Sequence, residues 1–238
     1  MRMMKGSGIY LRNQVRKNLA KAVVCLFLFA LIFFALGSRI LFSLSLNIFE
    51  AVWLLVSLVP LAGFYFYLHK YQIYSGGFEG EKRVIKLMSG KLSDDYVLLN
   101  DLYLRNGGGD IDHVVLGPKG IFVLETKNWR GNISCDGDEW QRPGKRGFRG
   151  SPSLQVKRNV AKIKRIIESS EPLRVLDIFV QGVVVFTNRY SRLHLNNPTV
   201  LILKLAQLPN YIATYGGSSN YSRQQLEEVG KEILKQKC

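Results

Sequence analysis

Cysteine and histidine are scarce in this sequence, with three of each in 238 residues. Cys25, Cys135 and Cys238 are too few and too scattered for a disulfide framework or a zinc site. Cys25 falls inside a long apolar run, and the low count suits a reducing compartment. His69, His113 and His194 show no metal-ligand spacing among themselves, so a zinc enzyme is not expected. Acidic residues are also in the minority, 18 against 33 Lys and Arg, for a formal net charge of +15. From Gly76 to Cys238 there is no internal repeat and no low-complexity segment, and the sequence has no glycine loop of phosphate-binding type. Gly107, Gly108 and Gly109 read as a flexible turn.

Apolar residues, by contrast, are crowded at one end. The mean hydropathy of +0.03 is high for so charged a chain. The stretch from Ala20 to Leu36 carries one charge, near its start, and is long enough to cross a ~30 Å hydrocarbon core. A second run, Ile48 to Leu68, carries only Glu50 at its edge. A cleaved signal peptide would explain a basic start, an apolar centre and the small residues Ala35 and Gly37. The first run is too long for a typical signal core, however, and a second run follows it. The pair therefore reads as a transmembrane hairpin.

Arg2, Lys5, Arg12, Arg16, Lys17 and Lys21 precede the first span, whereas the connection from Gly37 to Asn47 carries only Arg39. By the positive-inside rule both termini and the soluble remainder are expected on the cytoplasmic side of the cell membrane. Tyr65, Tyr67, Tyr71 and Tyr74 fit an interfacial aromatic belt, or equally an ordinary helix surface. The organisation expected is an anchor over residues 1–70 and a cytoplasmic domain over 76–238.

That domain reads as alternating helix and strand, an α/β fold with a central mixed sheet flanked by helices. "GFEGEKRVIKLMSGKL" opens it as a helix, with Val84, Ile85, Leu87 and Met88 on its apolar side and Glu79 and Glu81 in its first turn. A strand over Tyr96 to Leu99 follows. Further on, Ser153 is expected to cap a helix from Leu154 to about Glu168, with Val156, Val160, Ile163 and Ile167 along one side. Val175 to Asn188 and Thr199 to Leu205 read as strands. Ser222 with Gln225 forms a capping box for a last amphipathic helix.

"GGDIDHVVLGPKGIFVLETKNW", Gly108 to Trp129, holds the chemistry. Gly117-Pro118-Lys119-Gly120 is a turn by composition. Pairing Leu116 with Ile121 then places Asp112 directly opposite Glu125, with Cβ atoms roughly 4.5 to 5.5 Å apart. Lys127 lies two residues past Glu125 and shares its face, opposite Asp110 in that register. Both faces of the hairpin are otherwise apolar, as in the middle of a covered sheet. Two unpaired carboxylates buried there would cost on the order of several kcal/mol, so a cation must offset them. Lys127 alone is one possibility, making the group an ion-paired cluster at the sheet's end. A bound divalent cation is the other, since Mg²⁺ typically takes one or two protein carboxylates and completes its shell with water and substrate phosphate.

Asp112 followed by Glu125-Thr126-Lys127 resembles the Asp…(Asp/Glu)-x-Lys signature of restriction-endonuclease-like nucleases. With "GFEGE" before a helix, "VLLND", "DIDHVVLGPKGIFVLETKNWRGNI" and "SPSLQVKRN" heading a helix, the stretch from about Gly77 to Asn188 resembles the nuclease-related domain. The resemblance implies that Asp112 and Glu125 ligate Mg²⁺, with Mn²⁺ as a substitute, and that the Thr126 carbonyl helps. It implies that Lys127 positions the attacking water or stabilises charge on the phosphoryl oxygens. Glu81 resembles the superfamily's additional acidic residue, against the plain reading of a helix-dipole acid. Gln155 resembles the glutamine that contacts the site in related nucleases, against an ordinary helix-surface residue. His113 points away from the acids by strand alternation and is read as packed or supporting rather than as a base.

The family mechanism so implied is in-line attack on phosphorus by a metal-activated water. Lys145, Arg146, Arg149, Lys157, Arg158, Lys162, Lys164 and Arg165 supply cations for a polyanion, with DNA the leading expectation and anionic lipid the rival. A membrane-anchored, metal-dependent nuclease is the reading that follows. The alternative is a binding or scaffold protein that keeps the nuclease fold without turnover.

Overall fold

The computed structural model describes residues 1–4, 9–43, 48–104, 110–142, 150–171, 173–174, 176–217 and 220–236. The glycine turn at 107–109, Lys5, Lys145, Arg146, Arg149 and Cys238 lie outside them. The chain forms two compact units, one of Ile9–Phe78 and one of Met1–Gly8 with Glu79–Cys238.

In chain order the strands are β1 (Arg2–Met4), β2 (Val97–Leu102), β3 (Ile111–Gly117), β4 (Gly120–Lys127), β5 (Gly131–Asp136), β6 (Glu139–Gln141), β7 (Val180–Phe186), β8 (Ser191–Asn196) and β9 (Leu201–Lys204). The α-helices are α1 (Ile9–Ser43), α2 (Ile48–Lys91), α3 (Pro152–Ser169), α4 (Leu208–Thr214) and α5 (Arg223–Lys235).

Helix α1 and the first part of α2 make the first unit. Tyr10–Ala35 and Ala51–Lys91 are long and apolar enough to cross a membrane. Only 11% and 6% of their apolar windows are buried, unlike the core helix of a soluble domain. The helix expected to start near Gly77 does not start there. Helix α2 runs unbroken to Lys91 through Gly76, Gly77 and Gly80. Each glycine costs about 1 kcal/mol relative to alanine in a helix. Propagating an existing helix is nevertheless easier than nucleating a new one, and Val84 and Met88 are fully buried against the sheet.

The second unit is built on a six-stranded mixed sheet in the order β1-β2-β3-β4-β7-β9. Strands β2, β3 and β4 run antiparallel to one another, while β4, β7 and β9 are parallel, as are β1 and β2. The sheet separates two apolar layers. On one side Val114, Leu116, Ile121 and Val123 pack with Val156, Ile163 and Ile167 of α3 and Leu226, Val229 and Ile233 of α5. On the other, Val115, Phe122 and Leu124 pack with Val84 and Met88 of α2 and Leu208 and Ile212 of α4. Both faces of the hairpin are thus covered, as its apolar composition requires. At Gly182 of β7 a Cβ would sit 3.0 Å from Val156 Cγ2, so the missing side chain lets α3 lie close on the sheet.

Local details depart from the sequence reading: β2 runs on to Leu102, β9 is only Leu201–Lys204, and the start of α3 and of β7 also differ. The cap of α3 is Ser151, whose hydroxyl accepts from Leu154 N at 3.2 Å, with Pro152 in the first turn. Ser153 is buried instead, accepting the indole N–H of Trp140 at 2.7 Å. The strand expected from Val175 begins only at Val180. The Ser222–Gln225 capping box heads α5 as expected. A second, three-stranded sheet, β6-β5-β8, has no counterpart in the sequence reading.

Candidate active site

The hairpin pairs in the expected register, with Leu116 opposite Ile121 and His113 opposite Leu124. One step further, at the end of the ladder, Asp112 and Glu125 come level. There Asp112 uses its side chain rather than its backbone, and Oδ2 accepts the Thr126 N–H at 2.6 Å. Glu125 is 1% exposed, and its two oxygens differ. Lys127 Nζ lies 2.6 Å from Oε1, while Oε2 is buried without a hydrogen-bond partner.

Lys127 also donates to Gln155 Oε1 at 3.3 Å. Gln155 reaches it from the first turns of α3, which covers the face shared by Asp112, Glu125 and Lys127. Four of the residues named from sequence therefore meet at one end of the sheet. The cation facing Asp110 is Lys162, not Lys127. Thr126 turns its side chain to the opposite face, beneath Gly80 of α2, where a Cβ on that glycine would lie 3.5 Å from Thr126 Cγ2.

Glu81 joins from α2. Burial, then Asp112, Asp101, Glu125 and Asp110, push its carboxyl up to about 9. Its position far inside a long helix removes the helix-dipole explanation, because that effect is confined to the first turn. Glu125 is raised by burial and by Asp112, against the lowering effect of Lys127. Asp112 is raised by burial, opposed first by the Thr126 N–H and then by Lys127.

All three carboxyls stay raised with Lys127 in place, each chiefly by burial. The unpartnered, buried Oε2 of Glu125 fits a divalent cation among these oxygens. No set of three or more His, Cys, Asp or Glu is placed to hold an ion by itself among the described residues. The donor set that fits is two carboxylates completed by water or phosphate, the pattern Mg²⁺ favours.

His113 is fully buried, with Nδ1 2.7 Å from Asn100 Oδ1, and burial lowers its pKa to about 3. It is a neutral packing residue. Lys157 is committed to Asp138 at 2.7 Å, leaving Arg158, Lys164 and Arg165 as the exposed cations of α3.

The sequence reading missed two contributors. Asp101 lies on β2, level with Asp112 in the β2–β3 register, and adds to the acidity felt by Glu81. It holds a left-handed φ of 51°, uncommon outside glycine and concentrated at functional positions. Its signal was hidden because β2 was expected to stop at Leu99. Trp129 packs edge-on to Trp140 and Phe186, and Lys127 Nζ stands 5.8 Å from its ring centre. An aromatic wall two residues past the lysine keeps that ammonium beside apolar surface. The "KNW" run was the available signal.

The nuclease-related domain family matches residues 76–187. An uncharacterized protein of Bacillus anthracis is 38% identical over 60 residues, which are 24% of this chain and 28% of that protein's length. No solved structure matches the chain. Residues 76–187, which carry Glu81, Asp112, Glu125, Lys127 and Gln155, are therefore a nuclease-related domain, of the general restriction-endonuclease-like kind.

Proposed function

We propose that this protein is a membrane-anchored, Mg²⁺-dependent nuclease that hydrolyses phosphodiester bonds in DNA. The observation that carries the reading is Glu125, which gives one oxygen to Lys127 and keeps the other buried and unpartnered beside Asp112. Asp112 and Glu125 would hold the cation, with the Thr126 carbonyl as a third donor. A divalent cation there would act as a Lewis acid on the phosphoryl oxygens.

The chain's own residues do the rest. The Thr126 N–H fixes the Asp112 carboxylate, so the ligand oxygens are placed before substrate arrives. Lys127, oriented by Glu125 and Gln155, places a positive charge where the phosphoryl oxygens gain charge during attack. Glu81, with its raised pKa, holds a proton at neutral pH and can donate or accept one at the edge of the site. Arg158, Lys164 and Arg165 favour a phosphate backbone without reading sequence.

Membrane anchoring is supported by the exposed apolar surface of α1 and α2. Strand β1 precedes α1 yet belongs to the same sheet as the strands after α2, so an even number of crossings is needed. A two-span hairpin with both ends on the cytoplasmic side meets that condition.

The test is to incubate the purified full chain with linear, circular and single-stranded DNA and with RNA, in Mg²⁺, Mn²⁺ or chelator. Metal-dependent cleavage of DNA is expected. If no nucleic acid is cut under any condition, the nuclease reading fails and a scaffold that keeps the fold takes its place.

A further inference from the structure

The loops that leave β4 and β7 lie side by side, because those strands are parallel and Lys127 is in register with Phe186. In parallel sheets this is the end where ligands bind. The loops are tied down by their backbones. Thr187 N donates to Lys127 O at 3.0 Å, Gly131 N to Tyr190 O at 3.1 Å, and Ser191 Oγ to Trp129 O at 2.6 Å. Three of the side chains they present, Arg130, Arg189 and Tyr190, are exposed. Tyr190 is 52% exposed. The guanidinium of Arg189 lies 4.6 Å from its ring centre and that of Arg130 lies 5.2 Å from it, and Arg189 donates to the Tyr190 hydroxyl. Both arginines are exposed, and neither is paired with a carboxylate among the described residues.

A tied-down loop that holds an exposed aromatic ring beside two uncompensated guanidinium groups is not explained by packing. We propose that Arg130, Tyr190 and Arg189 form a platform for an unpaired nucleotide of the substrate strand, next to the Glu125–Lys127 site. The inference rests on the nuclease reading above and narrows its substrate. The planar ring and guanidinium faces stack on a base, while the two positive charges take the flanking phosphates. A base still stacked inside a duplex does not present its face, so the platform selects single strands, frayed ends or flaps over intact blunt duplex. Arg130 stands three residues beyond Lys127, so the strand held here runs on toward the acids.

Binding of the full chain, in discs of neutral lipid and with chelator present, to a labelled single strand and to a blunt duplex tests this. Tyr190→Ala is expected to weaken single-strand binding by roughly five- to hundredfold, the loss of one stacked base, with duplex binding unchanged. Tyr190→Phe keeps the affinity, and Arg130→Gln with Arg189→Gln flattens its salt dependence. If Tyr190→Ala alters neither affinity, or lowers both equally, the platform is overturned. It is also overturned, in favour of a lipid contact, if the variant loses only attraction to anionic vesicles. A wild-type chain that binds neither nucleic acid overturns the nuclease reading itself.

Discussion

Lys127 folds back along its own strand and sets its ammonium 2.6 Å from Oε1 of Glu125, two residues earlier, while Oε2 of that carboxylate stays buried without a partner. The lysine therefore orients the glutamate without neutralising the site. Lys127→Met is expected to cut phosphodiester cleavage on the order of a hundredfold or more, as loss of one transition-state donor does, while circular dichroism stays unchanged. Lys127→Arg should rescue little, because a planar guanidinium cannot sit where the compact ammonium bridges Glu125 and Gln155.

Glu125→Gln separates charge from shape. Glu125→Gln keeps an acceptor for Lys127 but cannot ionise, so its metal-free melting temperature should fall less between pH 5 and pH 9 than that of the wild type. The same variant should lose most of the stabilisation that Mg²⁺ confers on the wild type. Thermal melts with and without Mg²⁺ read both effects.

The raised acids also set the pH dependence of stability. Glu81 and Glu125 hold protons in the folded chain at pH values where the unfolded chain has released them. Stability from these groups is fully present below their unfolded values near 4.5 and is lost as pH rises toward about 8 and about 9. Metal-free melts should therefore weaken from pH 5 to pH 9, and Mg²⁺ should flatten that slope by favouring the charged forms.

Gly80 tests the approach of α2 to the site. A Cβ there would lie 2.9 Å from Thr187 Oγ1 and 3.1 Å from Asn128 Cβ. Gly80→Val should cost about 1–3 kcal/mol by overpacking, visible as a lower melting temperature. It should also slow cleavage, because Glu81 is the next residue on that helix.

The two serines at the start of α3 should behave differently. Ser151→Ala removes the cap and should cost about 0.5–2 kcal/mol. Ser153→Ala strands the buried Trp140 indole N–H and should cost about 1–3 kcal/mol. Denaturant titration of the two single variants measures both.

Much of the site was legible because strand alternation and one short turn determine which side chains share a face. Asp112, Glu125 and Lys127 followed from Gly117-Pro118-Lys119-Gly120 alone. Gln155 and Glu81 lie on separate helices, and only the resemblance to the nuclease-related domain pointed to them. Asp101 escaped because β2 continues to Leu102 through a stretch that reads as loop, interrupted by a left-handed backbone at Asp101 itself. The second sheet escaped because β5, β6 and β8 are short, and β8 pairs with β5 from a segment far along the chain, for which no local pattern exists. The unbroken α2 escaped because glycines mark a boundary in local propensity, and tertiary packing overrode them.

The most direct measurement is cleavage of a labelled DNA by full chains carrying Asp112→Asn or Glu125→Gln, each confirmed to be folded, in saturating Mg²⁺. Each variant should lose cleavage on the order of a hundredfold or more, since each removes a cation-holding carboxylate. Cleavage that survives either substitution unchanged would contradict the assignment of this acid pair as the active centre.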